Sequence, residues 1–246
     1  MLIQPTLEKL KILKFNGMAR SLEEQLNTSE FDSLTFEERL GLLVDRELTE
    51  RENRRIQTRL RQAKLRQQAC MEDIDYQHPR GLDKSLMHSM STCRWIKEHL
   101  NILICGATGV GKSFIACALA HKACLEGYKT LYIRSSRLFA NLALAKGDGR
   151  YGKMMNALAK TDLLVIDDWG LSSLDEQARK DLLEILEDRH EIHSTIIASQ
   201  LPVEHWHEVI GNPTLADAIL DRLVHNAYQI NLKGESMRKK KSKKTL

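Results

Sequence analysis

The sequence GATGVGKS at residues 106–113 restricts the fold of this 246-residue chain more than any other stretch. It matches the pattern GxxxxGK(S/T) at every fixed position, follows an apolar run at residues 100–105 and precedes a stretch of helical character at residues 113–126. In this pattern the glycines allow several backbone N–H groups to point at phosphate oxygens, and the N-terminus of the following helix favours an anion. We therefore predict a phosphate-binding P-loop between a buried strand and a helix.

A P-loop predicts binding of a nucleoside triphosphate, ATP or GTP, together with Mg²⁺. In such sites a lysine reaches the β- and γ-phosphates and a hydroxyl holds the metal. These roles fall on Lys112 and Ser113, and ATP is the nucleotide that we predict. The residues expected to bind it are Gly106, Ala107, Thr108, Gly109, Val110, Gly111, Lys112, Ser113 and Phe114.

A second apolar run, residues 163–166, ends in the two carboxylates Asp167 and Asp168. Magnesium prefers oxygen ligands, and a strand that ends beside a P-loop brings carboxylates to the metal. We predict that Asp167 contacts Mg²⁺ through water and that Asp168 orients or deprotonates the attacking water. Many ATPases have Glu at the second position, so the shorter Asp leaves the reach of this side chain open.

A third polar strand end occurs in the sequence TIIASQLP at residues 195–202. If this strand lies between the P-loop strand and the acidic strand, it would place Ser199 or Gln200 near the γ-phosphate. We predict Ser199 as the catalytic residue of the pair.

The alternation of apolar and helical stretches after residue 100 predicts an α/β fold. Strands that alternate with helices form parallel sheets covered on both faces. We therefore predict a three-layer α/β/α ATPase domain at residues 100–246, with a five-stranded parallel sheet and a basic C-terminal tail. The five predicted strands are residues 100–105, 129–133, 163–166, 195–198 and 227–232.

The region before the sheet is predicted to be a helical N-terminal domain, residues 1–75, and a link, residues 76–99. Capping-box patterns at residues 21–24 and 35–38 predict two helix starts, because the hydroxyl and the later Glu satisfy free backbone donors. The stretch from residue 42 to residue 71 contains no Gly or Pro, so we expect a long helix there.

Basic charge is concentrated in parts of the chain, although the net charge is only +4. Residues 46–66 contain eight basic and three acidic residues, and residues 233–246 contain seven basic residues and one acidic residue. The helix at residues 46–66, the tail at residues 238–244 and the loop at residues 146–153 are candidates for contact with DNA phosphates. A solvated, salt-bridged helix and a solubilising tail are the alternatives. The predicted DNA contacts are Arg51, Arg54, Arg55, Arg59, Lys146, Arg150 and Lys153.

Composition argues against several other classes of protein. The apolar runs are far shorter than the roughly 20 residues of a membrane span, and the N-terminus lacks the apolar core of a signal peptide, so we predict a cytoplasmic protein without membrane contact. The five cysteines contain no CxxC pair, which argues against a disulfide framework or a zinc site.

Five motifs taken together resemble those of AAA+ ATPases, and more narrowly the clade of bacterial DnaC helicase loaders and IstB transposition helper proteins. LKFNGMAR at residues 13–20 also resembles the start of IstB proteins, and IDDWG and ASQLP favour the transposition helpers over the loaders. The motifs are the P-loop at 106–113, IDDWG at 166–170, ASQLP at 198–202, ADAILDRL at 216–223 and GESMR at 234–238.

The resemblance implies roles that the residues alone do not indicate. Arg222 matches an arginine finger that acts on ATP held by the neighbouring subunit, and Arg238 matches a sensor arginine that touches the phosphates in its own subunit. The residues by themselves would favour a helix salt bridge for Arg222 and part of a basic tail for Arg238. The resemblance also implies that residues 146–153 face the central axis of an assembly. Eight residues follow Arg238 in the sequence, and the resemblance implies that a separate C-terminal lid is not expected.

The function implied is that of an ATP-dependent homo-oligomer on double-stranded DNA that recruits or activates a transposase, with hydrolysis resetting the assembly. The N-terminal helices would contact other subunits, the transposase or DNA. A DnaC-like helicase loader that acts on single-stranded DNA is the alternative. A small-molecule P-loop kinase would need a lid and a substrate pocket, for which the sequence offers no evident candidate.

Overall fold

The computed structural model describes residues 3–237, and its contacts divide the chain into two compact units, residues 1–58 and 59–246. The boundary between these units lies inside a helix, whereas the sequence predicts it at residue 75. The first unit contains α1 (Ile3–Ile12), α2 (Asn16–Asn27), a 3-10 turn (Ser29–Phe31) and most of α3 (Phe36–Ala63).

A close crossing of α2 and α3 organises the first unit. A Cβ atom on Gly17 would lie 2.7 Å from the Cα atom of Glu47, so only glycine fits there. The buried Glu47 carboxylate accepts the N–H groups of Gly17 at 2.7 Å and Met18 at 3.2 Å. Although burial opposes its ionisation, hydrogen bonds from Arg51 and these N–H groups lower the pKa of Glu47. A carboxylate from α3 therefore stabilises the N-terminus of α2.

The two predicted capping boxes have different outcomes. At α3, Thr35 donates its N–H to Glu38 Oε2 at 2.8 Å and its hydroxyl oxygen accepts the Glu38 N–H at 3.3 Å, which confirms that box. Ser21 lies inside α2 and is buried. That prediction is wrong because α2 begins earlier, where Glu47 satisfies the free donors from another helix.

The second unit is an α/β layer structure. Between the end of α3 and the sheet lie a 3-10 turn (Met71–Asp73), α4 (Lys84–Ser91) and α5 (Arg94–Lys97). The strands are β1 (Asn101–Gly106), β2 (Thr130–Arg134), β3 (Leu163–Trp169), β4 (Ser194–Ser199) and β5 (Ala227–Leu232). The remaining helical elements are α6 (Lys112–Leu125), α7 (Ser135–Gly147), α8 (Tyr151–Ala159), α9 (Glu176–Arg189), a 3-10 turn (Val203–His205), α10 (Trp206–Ile210) and α11 (Pro213–Val224).

Within the described residues the five strands form one parallel sheet in the order β2-β3-β4-β1-β5. This confirms the predicted fold class and places β4 between the P-loop strand and the acidic strand. Alternate residues of β1 contribute to different cores, Ile102 and Ile104 on one face and Leu103 on the other. Because all strands run in the same direction, their C-terminal ends meet at one edge of the sheet, the carboxyl edge, and their starts form the amino edge.

Residues 76–99 are part of the second unit's core rather than a link. Met87, Met90, Trp95 and Ile96 are each at most 3% exposed and pack in the same cluster as Ile102. The sequence predicts a link here because the turn-forming residues of this stretch obscure two short helices, α4 and α5, that pack in this cluster. No helix in the described part of the chain is long and apolar enough to cross a membrane.

Candidate nucleotide-binding site

The P-loop connects β1 to α6 at the carboxyl edge of the sheet. Gly111, immediately before α6, has a φ of +103°, and a Cβ atom on it would lie 2.4 Å from Nη1 of Arg80. The loop therefore requires glycine at this position both for its backbone conformation and for the close approach of the arginine.

A cavity of about 560 Å³ lies against this loop, a volume typical of ligand pockets. It brings together six of the nine predicted nucleotide-binding residues. Gly106, Ala107 and Val110 do not line it, and the fully buried Val110 packs into the core instead. The lining residues are Arg66, Gln67, Asp73, Asp75, Arg80, Thr108, Gly109, Gly111, Lys112, Ser113, Phe114, Asp168, Gln200 and Met237.

The Lys112 side chain folds back over the P-loop. Its ammonium group donates to the carbonyl oxygens of Gly106 at 2.7 Å and Ala107 at 2.9 Å. The residue is only 9% exposed but lines the cavity. The predicted phosphate-binding lysine is therefore held at the loop that would cradle the phosphates.

The two predicted carboxylates lie at the end of β3. Asp167 is 1% exposed; it accepts the Asp168 N–H at 2.8 Å and a short hydrogen bond from the Tyr132 hydroxyl. Burial, and then the hydrogen bond to Asp167, raise the pKa of Tyr132 far above its usual value. Tyr132 therefore stays protonated at neutral pH and remains a donor to Asp167.

Asp168 has a different environment from its neighbour. It has a φ of +58°, a left-handed conformation that few residues other than glycine adopt, and it lines the cavity. Nη1 of Arg66 lies 3.6 Å from Asp168 Oδ2 and 3.5 Å from Asp167 Oδ2, and Nε of Arg134 lies 3.6 Å from Asp168 Oδ2. No motif of the sequence indicates Arg66, Arg134 or Tyr132 as site residues.

Ser199 and Gln200 have separate roles at the end of β4. Ser199 is fully buried; its hydroxyl donates to the Trp169 carbonyl at 3.0 Å and accepts the Leu201 N–H at 3.0 Å. Gln200 lines the cavity, and its Oε1 accepts the Thr108 hydroxyl at 2.7 Å. The Ser199 hydroxyl uses its hydrogen bonds on backbone groups at the ends of β3 and β4. Of the two residues, it is Gln200 that contacts the P-loop.

Arg222 lies at the amino edge of the sheet. Its guanidinium donates to the Ala218 carbonyl at 2.8 Å and to Glu187 Oε1 at 2.9 Å, and its carbonyl accepts from Nδ2 of Asn101, the first residue of β1, at 3.1 Å. About 16 Å of strand separates Asn101 from the P-loop. Arg222 is therefore out of reach of the nucleotide cavity of its own chain.

Arg238 lies outside the described residues. The residue before it, Met237, lines the cavity and donates its N–H to the Gly109 carbonyl at 2.9 Å. Arg80, which is 1% exposed, joins the same segments by donating to the Val110 carbonyl at 2.9 Å and contacting the Met237 sulfur. Nothing in the local sequence distinguishes Arg80 from a surface arginine beside a proline.

The predicted DNA contacts are not brought together as a group. Arg51, Arg54 and Arg55 belong to the first unit, and the others belong to the second. Several have partners within the chain: Arg51 with Glu47, Arg54 with Glu50, Arg59 with the Cys124 carbonyl, Lys146 with Asp181, and Arg150 with Asp148.

Arg55 and Lys153 are exposed, and within the described part of the chain the side chain of neither has a hydrogen bond or ion pair. The predicted glycine-rich loop at residues 146–153 is shorter than expected. Only residues 148–150 lie between α7 and α8, so Lys146 and Lys153 lie on helices. The predicted contacts of residues 238–244 fall outside the described residues.

Comparison with known proteins identifies the family of the chain. Residues 8–245 match the family of IstB-like ATP binding proteins. The insertion sequence ATP-binding protein y4pL of Sinorhizobium fredii is 55% identical over 245 residues, which cover 100% of both chains. The ATP-binding protein of insertion sequence IS1162 from Pseudomonas fluorescens is 49% identical over 203 residues, 82% of this chain and 88% of that protein.

Solved structures show the same fold at lower identity. The chain resembles DnaI with a TM-score of 0.58 at 20% identity, over 67% of this chain and 91% of that one. It resembles the DnaC helicase loader with a TM-score of 0.56 at 18% identity, over 67% and 97% of the two chains. The strand order, the P-loop cavity and the family match lead to one conclusion: the chain belongs to the IstB-like ATP-binding proteins of insertion sequences and is an AAA+ P-loop ATPase.

Proposed function

We propose that this ATPase assembles as a homo-oligomer on double-stranded DNA when it holds ATP and Mg²⁺, recruits or activates the transposase of its insertion sequence, and is reset by hydrolysis. The observation that carries the proposal is the separation of the site residues. The P-loop, Asp168 and Gln200 share one cavity at the carboxyl edge, whereas Arg222 lies at the amino edge. An arginine finger at that edge can complete only the site of another copy.

Within one chain the residues fit the predicted roles in binding and hydrolysis. Lys112 would exchange the Gly106 and Ala107 carbonyls for phosphate oxygens, and Ser113 and Asp167 would hold the metal. Bound Mg²⁺ would neutralise charge that develops on the transferred phosphoryl group. Asp168, held at the cavity wall by its backbone conformation, would orient the attacking water, and Gln200 would be placed near the γ-phosphate. Arg238 would touch the phosphates from the segment that begins at Met237.

The contact between Arg222 and Glu187 does not oppose a role at a subunit interface. Glu187 is half exposed, with 50% of its side chain accessible, and 26% of the Arg222 side chain is accessible. Ion pairs of this kind contribute about 0–1 kcal/mol. The arginine could therefore leave Glu187 for a phosphate at little cost.

The contact with DNA is proposed for exposed basic residues of both units. Arg55 and Lys153 are accessible without breaking an ion pair, and Arg51, Arg54, Arg59, Lys146 and Arg150 would first exchange an internal partner. Phosphate contacts carry no base-specific information, which suits an assembly that grips DNA of varied sequence. The names of the relatives refer to insertion sequences, which favours a transposase partner over a helicase. The cytoplasmic location stays a prediction from the sequence.

The first experiment compares a duplex with a single strand of matched sequence, with and without a slowly hydrolysed ATP analogue, while particle mass is measured. Nucleotide-dependent assembly on the duplex is the expected result. Assembly that prefers the single strand would favour a helicase loader instead. DNA binding that is independent of nucleotide in every arm would contradict both functions.

A mixing experiment tests the divided site directly. Arg222→Ala retains a complete P-loop and Lys112→Ala retains the finger, so each variant alone should hydrolyse ATP poorly. Mixed on duplex DNA, they should recover part of the wild-type rate, because a finger from one variant meets the P-loop of the other. Failure to recover, with mixed assemblies shown by mass, would exclude Arg222 as a finger that acts between subunits.

A further inference from the structure

Arg66 lies in the nucleotide cavity, where no motif of the sequence predicts a basic side chain. Its guanidinium bridges both carboxylates at the end of β3, with Nη1 3.5 Å from Asp167 Oδ2 and 3.6 Å from Asp168 Oδ2. These are the groups proposed above to hold the metal and the attacking water. One third of the Arg66 side chain is exposed, so it can move without unpacking the core.

The main chain that carries Arg66 is held in place by contacts just before and just after the C-terminal end of α3. Arg59 donates to the Cys124 carbonyl at 2.8 Å, and Ala63 is fully buried. The helix stops at Ala63, and Lys64 follows with a φ of +53°. Leu65 packs against the core cluster that contains Ile102 and Ile104. The position of the main chain is thus determined, while the long side chain of Arg66 remains adjustable within the cavity.

Asp167 does not depend on Arg66 for its hydrogen bonds. The carboxylate already accepts the Asp168 N–H and the Tyr132 hydroxyl. Arg66 contributes positive charge, which is also what a divalent cation would contribute at this carboxylate. Two cations that converge on one buried carboxylate repel each other, and the repulsion is strong where water is excluded.

We propose that Arg66 is a positioning residue that occupies the carboxylates in the nucleotide-free protein and is exchanged there for Mg²⁺ when the metal binds with nucleotide. The exchange needs no large movement, because Arg66 lines the same cavity as Lys112 and Ser113. The inference rests on the proposed magnesium-dependent ATPase function.

The competition has a measurable consequence for nucleotide affinity. In the wild type, Mg²⁺ must displace Arg66 before it can reach Asp167. Arg66→Met removes the charge but keeps much of the side-chain length, so metal binding no longer displaces a cation. We expect the ratio of the dissociation constants of a fluorescent ATP analogue, measured in EDTA and in Mg²⁺, to be about twofold to tenfold larger in Arg66→Met than in the wild type.

Three further variants separate the exchange from structural support. Arg66→Lys keeps a charge, and its ratio should lie nearer to the wild type. Arg134→Met removes a cation that, among the described residues, forms its ion pair with Asp168 and not with Asp167, so its ratio should change less. Arg66→Gln serves as a second uncharged variant if Arg66→Met does not show the cooperative thermal unfolding of the wild type.

The outcomes distinguish this inference from the function on which it rests. If the wild type binds the analogue and Mg²⁺ strengthens that binding, but Arg66→Met and Arg66→Gln leave the ratio unchanged or reduce it, the exchange is wrong and the ATPase function stands. An equal loss of affinity in EDTA and in Mg²⁺ would indicate structural support and would also overturn it. If the wild type binds no analogue in either condition, the proposed function itself fails.

Discussion

The two edges of the sheet differ in the number of candidate site residues that they bring together. At the carboxyl edge the P-loop, the β3 carboxylates and Gln200 converge around one cavity. At the amino edge the Arg222 guanidinium has hydrogen bonds only to the Ala218 carbonyl and Glu187 among the described residues. In a parallel sheet the connecting loops place functional groups at the end of each strand, so binding at the carboxyl edge is expected. An arginine at the other edge has a function in catalysis only if copies associate.

The strongest test of this difference is Arg222→Ala, since it alters only the amino edge. We expect kcat to fall by about 10³-fold or more, as for other arginine fingers in phosphoryl transfer, because developing charge on the phosphates loses its partner. Steady-state hydrolysis on duplex DNA measures the effect. The matched control, Glu187→Ala, removes the same ion pair but keeps the arginine, and it should retain most of the activity. Equal losses in both variants would make the contact a structural one.

At the carboxyl edge, Asp168→Asn should lower kcat by about 10²-fold to 10⁴-fold, because an amide cannot accept a proton from water. Binding of the ATP analogue should remain within a few-fold of the wild type, because the substitution preserves size and leaves the P-loop intact. Single-turnover hydrolysis and equilibrium binding separate the two effects. Full hydrolysis in the variant would show that the shorter aspartate does not reach the attacking water.

The close contact between the P-loop and Arg80 can be tested by measuring the free energy of unfolding of glycine variants. Gly111→Ala places a Cβ atom 2.4 Å from Nη1 of Arg80 on a backbone with a φ of +103°, and should lower the free energy of unfolding by about 1–3 kcal/mol. Gly147, at the end of α7, has no atom within 4 Å of such a Cβ. Gly147→Ala should therefore raise the free energy of unfolding by a few tenths of a kcal/mol to about 1 kcal/mol. Urea denaturation measures the free energy of unfolding of both variants. Equal changes in the two variants would contradict the close contact between Gly111 and Arg80.

The smallest expected effect separates two adjacent residues at the end of β4. Gln200→Ala should reduce kcat by about tenfold, because it removes a polar group beside the P-loop, with little change in stability. Ser199→Ala should lower the free energy of unfolding by about 1–3 kcal/mol, because the Trp169 carbonyl and the Leu201 N–H lose a buried partner. Kinetics and denaturation of both variants are needed. The reverse pattern would restore Ser199 as the catalytic residue.

The sequence was most informative where neighbouring residues act together. The eight residues of the P-loop define a phosphate cradle by themselves, and each apolar run became a strand within one to three residues of its predicted limits. It was less informative where residues far apart meet. Residues 76–99 contain turn formers throughout, and only packing against Ile102 shows that their helices are part of the core.

The sequence by itself determined the α/β fold class, the P-loop and the acidic strand end, because these depend on local backbone conformation and on the burial of short apolar runs. Tertiary structure decided the rest of the site. It placed Arg66 on carboxylates about a hundred residues further along the chain, Tyr132 on Asp167, and Arg80 on the P-loop. It also turned Ser199 away from the cavity and Gln200 towards it. The physical reason is that a side chain's partner is set by which strands and helices become neighbours, and composition and spacing do not contain that information.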